Sequence, residues 1–574
     1  MEIDEGGFRL LMNGAQAVLE SLKKEGVDVV FGYPGGAVLT LYDAVYKMKF
    51  PHILTRHEQG AVHAADGYAR ATGKVGVVFA TSGPGATNLI TGIATACTDS
   101  VPLVCITGQV ANPYIGKDSF QEADIFGITT PITKHNYLVK DVNDLPRVLK
   151  EAFFIARTGR PGPVVIDVAK DVFDTKFDYQ YPEAVQLRGY SGEYTGCEEE
   201  IDAVAAAVEK AERPLLFVGG GIISSGTAAQ VREIAAILGA PVTSTLLGLG
   251  VVPADDKGFL GFAGMHGSYA ANMSIQECDL LLCIGMRFSD RVTGKVAGFA
   301  PKAKIVHFEL DEAEVNKNVK ADYRVLGDLR WSLPLFLKKL KAAGKDFQAA
   351  HSSWLQHVIA MREEHPFSYQ EEGDLIKPGA LIRKISSIVD EDTIAVTDVG
   401  QHQMWAAQFF DVYKPRHFLT SGGQGTMGYG LPAAMGAKIG QPDSSVILFT
   451  GDGSIMMNCQ EFATIADNDI DVKVVIVHNC ILGMVGQWQR LFYNHHYSQS
   501  ELKGKTDFVK LAEAMGIKGY RLTKKEELES VLPKILAEKG PALLDVWIPE
   551  EEDVLPMVPG GKRLDQMVLG GGKK

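Results

Sequence analysis

The sequence predicts an α/β protein built from three doubly wound domains with mostly parallel sheets. The chain has 574 residues, enough for three or four domains at roughly 150 residues each. Short runs rich in Val and Ile recur without alternation, as is typical of strands buried on both faces of a parallel sheet. Helical patterns such as 203–211 lie between these runs, so strands and helices alternate along the chain.

Eleven of these runs are interpreted as strands, in three groups. In chain order they are 27–31, 75–80, 103–107 and 164–168, then 215–218, 280–284 and 305–310, and finally 394–397, 446–450, 473–477 and 543–548. Two mostly polar stretches, 172–198 and 344–378, separate the groups and are interpreted as linkers, the second with a short helical pattern at 354–361. The predicted organisation is a first domain at 1–180, a central domain at 195–345, a third domain at 375–550 and a tail at 551–574.

Composition excludes several kinds of function. Acidic side chains outnumber basic ones, 70 against 57, for a formal charge of −13, whereas nucleic-acid binding needs a basic face that neutralises phosphates.

The N-terminus lacks the basic and apolar segments of a signal peptide, and no run approaches the roughly 18 apolar residues of a membrane-spanning helix. Seven cysteines without zinc-ribbon spacing fit a reducing compartment. We expect a cytoplasmic protein that binds neither nucleic acid nor membrane, with an organellar form that has lost a transit peptide as the alternative.

The strongest chemical signal follows two predicted strands of the third domain. Gly451-Asp-Gly-Ser454 comes after one strand and Asn479 after the next, so both lie at the carboxyl edge of the sheet, where ligands bind. Carboxylate and amide oxygens suit Mg2+, which keeps diphosphate oxygens and water as its other ligands. Gly453 and Ser454 would open a helix whose free N–H groups face that diphosphate. The alternative is an ordinary strand–turn–helix with a capping Asp452, which Asn479 at this spacing disfavours.

This spacing resembles the thiamine-diphosphate (ThDP) motif, in which Gly-Asp-Gly is followed further along the chain by Asn-Asn. Here the second part reads His478-Asn479-Cys480, so His478 departs from the pattern while Asn479 keeps the ligand position. The resemblance implies a Mg2+ ion bound by Asp452, Asn479 and the backbone carbonyl of Ile481.

An acidic residue beside the aminopyrimidine ring is the family's other requirement. Glu58 stands in Arg56-His-Glu-Gln-Gly60 and leads into a helical pattern. In isolation, a glutamate at a helix start is explained as a cap that compensates the helix dipole. Its place after Gly32-Tyr-Pro-Gly-Gly36 matches the family's activating glutamate, which shares a proton with the ring and helps the 4′-amino group act as a base. Because this glutamate and the metal site meet across a subunit interface in the family, the resemblance implies a homodimer or homotetramer.

Six further strings resemble the catalytic subunit of acetohydroxyacid synthase (acetolactate synthase) of the biosynthetic, FAD-containing type. They are Thr-Ser-Gly-Pro-Gly-Ala-Thr-Asn at 81–88, Ser-Phe-Gln-Glu-Ala-Asp at 119–124, Arg-Pro-Gly-Pro at 160–163, Arg-Phe-Ser-Asp-Arg-Val-Thr-Gly at 287–294, Gly-Thr-Met-Gly-Tyr-Gly at 425–430 and Gly-Met-Val-Gly-Gln-Trp at 483–488. The resemblance implies that pyruvate is decarboxylated and condensed with a second pyruvate, giving 2-acetolactate, or with 2-ketobutyrate, giving 2-aceto-2-hydroxybutyrate, in branched-chain amino-acid biosynthesis. It also implies bound FAD and a separate small regulatory subunit.

The resemblance also implies a role for each matching residue. The catalytic and substrate-contacting set is Glu58, Gln121, Lys170, Arg291 and Trp488, with Phe120 also lining the access to the active site. The ThDP-binding set is Gly36, Val399, Gly400, Gln401, His402, Gly425, Met427, Gly453, Ser454, Gly483 and Met484. The FAD-binding set is Arg160, Gly220, Gly221, Thr245, Leu246, Met265, His266, Gly267, Gly285, Arg287, Glu309 and Asp328.

Four of these roles have a physical basis that can be stated. By resemblance, Met427 is the apolar wedge under ThDP, and the carbonyl of Val399 accepts from the 4′-amino group. Arg291 would bind the carboxylate of the second 2-ketoacid, for which a guanidinium is suited; the alternative is a solvated salt bridge. Trp488 would favour 2-ketobutyrate, because a flat apolar wall gains roughly 1–3 kcal/mol from one extra methylene; the alternative is an ordinary core aromatic.

Three other activities stay open on the sequence. An FAD-independent catabolic acetolactate synthase is opposed by Trp488 and by the string at 287–294. A pyruvate oxidase is the second alternative, which peroxide or a reduced acceptor formed from pyruvate would favour. A non-catalytic binding or regulatory protein of this fold is opposed by the presence of Glu58, Asp452 and Asn479.

Overall fold

The computed structural model describes residues 11–369 and 373–569. Residues 1–10, on which the expectation of no signal peptide rests, and the end of the predicted tail, 570–574, lie outside the described residues. The described chain contains three parallel sheets of six strands each and one antiparallel pair of short strands. None of its helices is both long and apolar enough to cross a membrane.

The strands follow one another in the same three groups that the sequence predicts. The first group is β1 Leu11–Asn13, β2 Val30–Gly32, β3 His52–Leu54, β4 Gly76–Ala80, β5 Leu103–Gln109, β6 His135–Val139, β7 Pro163–Ala169 and β8 Lys176–Asp178. The second is β9 Pro214–Val218, β10 Val242–Ser244, β11 Phe259–Phe262, β12 Leu280–Ile284, β13 Lys304–Glu309 and β14 Tyr323–Leu326. The third is β15 Ile394–Thr397, β16 Phe418–Leu419, β17 Val446–Gly451, β18 Val472–His478, β19 Lys518–Leu522 and β20 Ala542–Trp547.

Helices connect the strands and cover both faces of the sheets. Around the first sheet they are α1 Gly14–Lys24, α2 Leu39–Met48, α3 Glu58–Thr72, α4 Pro84–Thr87, α5 Ile90–Asp99, α6 Ile125–Thr129, α7 Leu145–Arg157 and α8 Lys170–Asp174. Around the second they are α9 Glu198–Lys210, α10 Gly220–Ser225, α11 Ala228–Leu238, α12 Tyr269–Glu277, α13 Asp290–Thr293, α14 Leu329–Ala342 and α15 Phe347–Glu364. Around the third they are α16 Pro378–Ile388, α17 Gln401–Phe409, α18 Gly430–Gly440, α19 Asp452–Ile455, α20 Glu461–Asp467, α21 Gly483–Phe492, α22 Phe508–Ala514, α23 Glu527–Ser530 and α24 Leu532–Ala537.

The first and third sheets have the same strand order. The orders β3-β2-β4-β5-β7-β6 and β16-β15-β17-β18-β20-β19 are both 2-1-3-4-6-5 when β2 and β15 are counted as the first strands. The central sheet has the order β11-β10-β9-β12-β13-β14, which is 3-2-1-4-5-6, the order of dinucleotide-binding sheets. The chain leaves its neighbouring strands β9 and β12 in opposite directions, so a crevice opens at their carboxyl ends.

All eleven predicted strands are present, with ends that differ by a few residues. In the first and third sheets they are the four central strands, whereas the edge strands β3, β6, β16 and β19 were not predicted. Every residue of β4 is buried, but β3 and β19 are largely half-buried or exposed. A continuous apolar run exists only where both faces of a strand are covered, so the sequence pattern misses these edge strands. In the central sheet β10, β11 and β14 were also not predicted; β10 is internal and buried, but it is only three residues long and contains Thr243 and Ser244.

The short helical pattern at 354–361 within the second predicted linker is part of a longer helix, α15, which occupies 347–364. The buried residues of α15, Phe347, His351, Trp354 and Val358, recur at helical spacing. Trp354 Nε1 donates to the carbonyl of Pro214 at 2.9 Å, at the start of β9. The helix therefore packs on the central sheet.

Helix α3 begins with the predicted catalytic glutamate, and local chemistry sets where it begins and ends. The His57 ring accepts a hydrogen bond from the Gln59 amide at 3.1 Å and caps the first turn. Glu58 follows as the first helical residue, where a negative charge is favoured by the helix dipole. Gly73 ends the helix in the left-handed conformation, with φ of +77°, as is common at helix C-termini.

Helices α3 and α18, which occupy equivalent positions in the first and third domains, pack directly against each other. Glycines allow this close approach: a Cβ on Gly67 would overlap the carbonyl of Ala433, and one on Gly436 would overlap the carbonyl of Ala64. The two backbones are therefore in contact at the crossing.

We predict that Gly436→Ala lowers the thermal unfolding midpoint. In a helix interior alanine is normally favoured by roughly 0.5–1 kcal/mol, but here the new methyl meets a backbone carbonyl, and overpacking costs about 1–3 kcal/mol. The control is Gly560→Ala, because nothing lies within 4 Å of the position that a Cβ would take there. Calorimetry that finds Gly436→Ala as stable as the unmodified protein would contradict the packing argument.

Candidate active site

Four segments at the carboxyl edge of the third sheet carry residues that were predicted to bind Mg2+ and ThDP. Residues 399–402 follow β15, 425–427 follow β16, 452–454 follow β17 and 479–481 follow β18. These strands are parallel, so their carboxyl ends lie at one edge of the sheet. The structure thus brings together the residues that the sequence analysis assigned to ThDP and Mg2+ in this domain.

Asp452 and Asn479 lie on neighbouring strand ends. Asp452 accepts hydrogen bonds from the amides of Gly453 at 3.0 Å and Cys480 at 2.8 Å. It is buried, and burial raises the pKa of its carboxyl group to about 6. Among the described residues no Lys or Arg pairs with it, so a divalent cation fits this position by neutralising a buried charge. Asn479 is oriented by Gln401, whose Oε1 accepts from its side-chain amide at 3.2 Å.

The residues beside this pair leave room and donors for an anionic group. His402 is buried, and within the described chain its Nε2 has no hydrogen-bond partner. Burial lowers the pKa of His402 to about 3, so the ring is neutral and would gain from an acceptor such as a phosphate oxygen. Gly483 begins α21 so close to Gln401 that a Cβ on Gly483 would overlap Gln401 Oε1. Met484, the next residue, is the last member of the predicted ThDP-binding set.

The turns at 399–400 and 425–428 are held together by Asp398. Its carboxylate accepts from the amides of Val399 and Gly428, both at 2.9 Å, and burial raises the pKa of Asp398 to about 6. Ser454 Oγ donates to the carbonyl of Val399 at 2.9 Å. Met427, between Gly425 and Gly428, has its methyl 3.8 Å from the position that a Cβ on Gly453 would take. These contacts place the predicted wedge and the predicted carbonyl on opposite turns of one crevice.

The first domain carries a separate half of the predicted site. Glu58 is buried, and its Oε2 accepts from the side-chain amide of Asn88 at 3.0 Å. Gly85 lies beside this carboxylate: a Cβ added to Gly85 would be 3.2 Å from Glu58 Oε1. Gln121 has a positive φ of 58°, and its backbone packs against Gly83. In the part of the chain that the structure describes, no hydrogen bond or ion pair joins Glu58 to the third domain.

Two other predicted residues of the first domain also follow strands of its sheet. Gly36 opens a short 3-10 turn after β2, with open space around the position of a Cβ. Lys170 begins α8 directly after β7 and is exposed. Phe120 is 88% exposed.

Every strand of the central sheet leads into at least one residue of the predicted FAD set. In chain order these are Gly220 and Gly221 after β9, Thr245 and Leu246 after β10, Met265, His266 and Gly267 after β11, Gly285 and Arg287 after β12, Glu309 ending β13 and Asp328 after β14. The sheet is parallel, so these residues surround the crevice between β9 and β12. Dinucleotides bind at this position in sheets of this order.

Close backbone contact shapes the floor of this crevice. The Gly221 amide donates to the Gly285 carbonyl at 2.9 Å, and a Cβ on Gly221 would lie 2.9 Å from the Cα of Gly285. Gly285 has a φ of +57°, a conformation that favours glycine. Arg287 donates to the carbonyl of Thr98 at 2.7 Å, so α5 of the first domain closes one side.

Charged and unpaired polar groups lie at the rim of the crevice. Arg160 of the first domain bonds to Asp311 at 3.0 Å and to Glu314 at 3.1 Å. His266 is buried with Nδ1 unpartnered among the described residues, and burial lowers the pKa of its ring to about 4. Burial also raises the pKa of Glu309. Unpaired buried donors of this kind fit a polar cofactor that supplies their hydrogen bonds.

Arg291 and Trp488 come from different domains and meet. The Arg291 guanidinium lies 6.0 Å from the centre of the Trp488 ring, at the limit of a cation–π contact. Arg291 is 62% exposed, and Trp488 Nε1 is buried with no hydrogen-bond partner within the described residues. A cation beside an apolar ring can bind a small carboxylate with an aliphatic tail. Among the described residues, Gln121, Lys170 and Phe120 form no hydrogen bond, ion pair or ring contact with this pair.

Comparisons with known proteins agree with this arrangement. Models of the thiamine pyrophosphate enzymes match in three places: the N-terminal TPP binding domain at 12–128, the central domain at 201–340 and the C-terminal TPP binding domain at 398–546. The chain is 46% identical over 557 residues to the acetolactate synthase isozyme 2 large subunit of Escherichia coli, covering 97% of this chain and 99% of that protein. The chain belongs to the acetolactate synthase family of thiamine pyrophosphate enzymes.

Other relatives carry the same name over nearly their whole length. The acetolactate synthase large subunit of Parasynechococcus marenigrum is 48% identical, over 97% of this chain and 91% of that protein. The one from Lactococcus lactis is 46% identical, over 97% and 96%. These matches confirm the predicted family, fold class and enzyme class, and with the TPP binding domains they confirm ThDP as the cofactor. They favour neither the catabolic enzyme nor the oxidase.

Several residues that shape the candidate site were not predicted from the sequence. Asn88 bonds to Glu58, and it ends the string at 81–88 that carried the resemblance. Asp398 was passed over although it directly precedes Val399. Gln487 is fully buried and accepts from the Gln401 side-chain amide at 2.9 Å. The sequence assigned a role to its neighbour Trp488 but none to Gln487. The available signal was position within a matching string for Asn88 and Gln487, and position directly before Val399 for Asp398.

Proposed function

We propose that this chain forms 2-acetolactate from two molecules of pyruvate, and 2-aceto-2-hydroxybutyrate from pyruvate and 2-ketobutyrate, for branched-chain amino-acid biosynthesis. The observation that supports this most directly is the buried pair Asp452 and Asn479 at adjacent strand ends, with the unpartnered His402 beside it. The proposed cofactors are ThDP, Mg2+ and FAD. Asp452, Asn479 and the carbonyl of Ile481 would hold Mg2+, which is suited to oxygen ligands.

When bound, ThDP supplies a carbon nucleophile and an electron sink for decarboxylation of a 2-ketoacid. The chain's residues would position it. The Val399 carbonyl would accept from the amino group of its ring, and Met427 would support the bent shape that brings this group to the reacting carbon. Gly453 and His402 would hold its diphosphate. Glu58 would hold a proton at the ring nitrogen, at the start of α3.

Glu58 would reach the cofactor from a second copy of the chain, so the active unit is a homodimer or a dimer of dimers. Support comes from the separation of the two half-sites within one chain and from exposed apolar side chains near both. Those of the first domain are Tyr114, Phe120, Phe126 and Ile128, and those of the third are Met456, Met457, Leu491 and Phe492. Exposed apolar surface of this extent is typical of an interface.

The second 2-ketoacid would bind between Arg291 and Trp488, with its carboxylate on the guanidinium and its alkyl tail on the ring. Gln121 and Lys170 would line the same pocket from the partner copy. FAD would occupy the central crevice, with Arg160, Arg287, Glu309 and Asp328 as polar contacts. The reaction has no net redox change, so FAD is not required by the chemistry.

A separate small regulatory subunit is the proposed protein partner, because relatives are named large subunits. The cytoplasm is the proposed location, in line with the acidic composition and the free cysteines. We propose no binding to nucleic acid or to a membrane.

Glu58→Gln should lower acetolactate formation from pyruvate, ThDP and Mg2+ by about 10²–10⁴-fold, the usual contribution of a positioned acid or base. The thermal unfolding midpoint should stay close to that of the unmodified enzyme, since glutamine can still bond to Asn88. Glu151→Gln is the matched control: Glu151 is a similarly buried glutamate of the same domain, bonded to Tyr137 at 3.0 Å. A fully active Glu58→Gln variant would refute the role, and absence of acetolactate from the unmodified enzyme would refute the function.

The purified protein should show a flavin absorption spectrum, and Gly220→Val should lose most of the bound flavin without unfolding. A Cβ on Gly220 would meet only Leu247, at 3.4 Å or more, so the fold has space for the side chain that the cofactor would occupy. Ser224→Val, at an exposed position of the same helix, should keep its flavin. A colourless unmodified protein after reconstitution with FAD would contradict this assignment.

Trp488→Leu should reduce the preference for 2-ketobutyrate over pyruvate by about tenfold, within the range for one methylene in an apolar pocket. The measurement is the product ratio when both second substrates compete. Trp331→Leu, at another half-buried tryptophan, should leave the ratio unchanged. An unchanged ratio in Trp488→Leu would show that the ring does not contact the second substrate.

A further inference from the structure

His478 and Cys480 flank Asn479 and depart from a site made only of oxygen ligands. With Asp452 they form a group of three potential metal ligands whose donor atoms all lie within 4.8 Å of one another. His478 Nε2 is 3.6 Å from Asp452 Oδ2 and 3.3 Å from Cys480 Sγ. The group therefore contains one oxygen, one nitrogen and one sulfur donor.

These separations fit a tetrahedral cation. Zinc binds imidazole nitrogen at about 2.0–2.1 Å, carboxylate oxygen at about 2.0–2.2 Å and thiolate sulfur at about 2.3 Å, which at tetrahedral angles places nitrogen and oxygen about 3.3–3.5 Å apart and nitrogen and sulfur about 3.5–3.6 Å apart. Each of the two separations that involve His478 Nε2 lies within about 0.3 Å of the value for its donor pair. A three-ligand set leaves a fourth position for water or a ligand.

Strand register explains why the three residues meet. Gly451 of β17 pairs with Val477 of β18, so the next residue of each strand, Asp452 and His478, are neighbours. Cys480 follows two residues later with a positive φ of 59°, and its amide donates to Asp452 Oδ2 at 2.8 Å. The backbone thus turns back and directs the sulfur towards the His478 ring.

Asp545 fixes the His478 ring in the orientation that metal binding needs. His478 Nδ1 lies 2.7 Å from Asp545 Oδ1, which leaves Nε2 for the cluster. Asp545 is fully buried on β20 and also accepts from Arg521 at 3.0 Å and Trp547 at 3.3 Å. The Trp547 ring packs on His478, with ring centres 4.4 Å apart. A carboxylate that holds the far nitrogen of a histidine is the usual support of a metal-bound imidazole.

We propose that Asp452, His478 and Cys480 form a binding site for a borderline-soft divalent cation such as Zn2+, with Asp545 as the positioning residue. Nitrogen and sulfur donors select such a cation, whereas Mg2+ prefers oxygen. Asp452 belongs to both donor sets, so the soft cation competes with Mg2+ and ThDP. This second step rests on the proposed function; the binding of the cation does not.

Cobalt is the probe, because Co2+ occupies zinc-type sites and gives a charge-transfer band when a thiolate binds it. Metal-free protein without ThDP, titrated with Co2+, should develop this band to one equivalent per chain. Cys480→Ser should abolish the band. Cys459→Ser is the matched control, since Cys459 is a half-buried thiol of the same domain, and it should keep the band. No band in the unmodified protein, a band that survives Cys480→Ser, or equal loss in Cys459→Ser would overturn the proposal.

A second variant tests the positioning role and does not depend on the cysteine. Asp545→Asn should weaken Co2+ binding roughly 10–100-fold, as for other residues that support metal ligands, while the band keeps its shape because all three ligands remain. Unchanged affinity would overturn the role of Asp545. Circular dichroism of each variant identifies any that has not folded, and Asp545→Glu should restore part of the affinity.

The cobalt charge-transfer band also tests whether Mg2+ and ThDP compete with the soft cation. Saturating Mg2+ and ThDP should shift the cobalt titration to higher concentrations in the unmodified protein. A titration that does not move would overturn the sharing of Asp452, whereas the cobalt band itself would still stand. Since the band is read without substrate, failure of the proposed catalytic function leaves this result interpretable.

Discussion

The packing of α3 on α18 sets the relation between the first and third sheets. At the crossing the two backbones are in contact at Gly67 and Gly436. Because no side chain of these two residues lies between the helices, the backbones themselves set the distance between them. A buried network continues the contact: Tyr429 donates to Asp66 at 2.8 Å, and Arg70 bonds to Asp66 and Asp99. Removing one partner of a buried ion pair typically costs about 3–5 kcal/mol, so the network fixes one arrangement. Glu58 begins one of these helices and Met427 closely precedes the other.

This arrangement places the predicted glutamate and the predicted metal residues in two different domains of one chain. Glu58, at the start of α3, is bonded to Asn88 of its own domain. The first and third sheets share one strand order, so their carboxyl edges are equivalent surfaces of two similar domains. A second copy of the chain can place its first domain against the exposed apolar side chains of the third. The central sheet has a different order and forms its own crevice between β9 and β12, suited to a dinucleotide.

The sequence predicts the internal strands of the sheets better than the edge strands. Strands covered on both faces are visible as continuous apolar runs, which is why β4, β5, β17 and β18 were found and the edge strands β3 and β19 were not. Site residues were predictable where they directly follow such strands, as Asp452 and Asn479 do. The meeting of His478 with Asp545 was not, because 67 residues separate them and only the pairing of β18 with β20 brings them together. The helical pattern at 354–361 was predicted, but the full length of α15 was not.

The central crevice and the proposed second-substrate pocket are connected through the backbone. Arg291 lies six residues after Gly285, and its carbonyl accepts from the amide of Met265 at 2.8 Å. Gly285 and Met265 belong to the crevice, while the Arg291 side chain faces Trp488 of the third domain. A cofactor bound in the crevice would therefore stabilise the backbone that positions Arg291. This gives the proposed FAD a structural role in a reaction without net redox change, because a cation misplaced by about 1 Å would hold its carboxylate in a less reactive geometry.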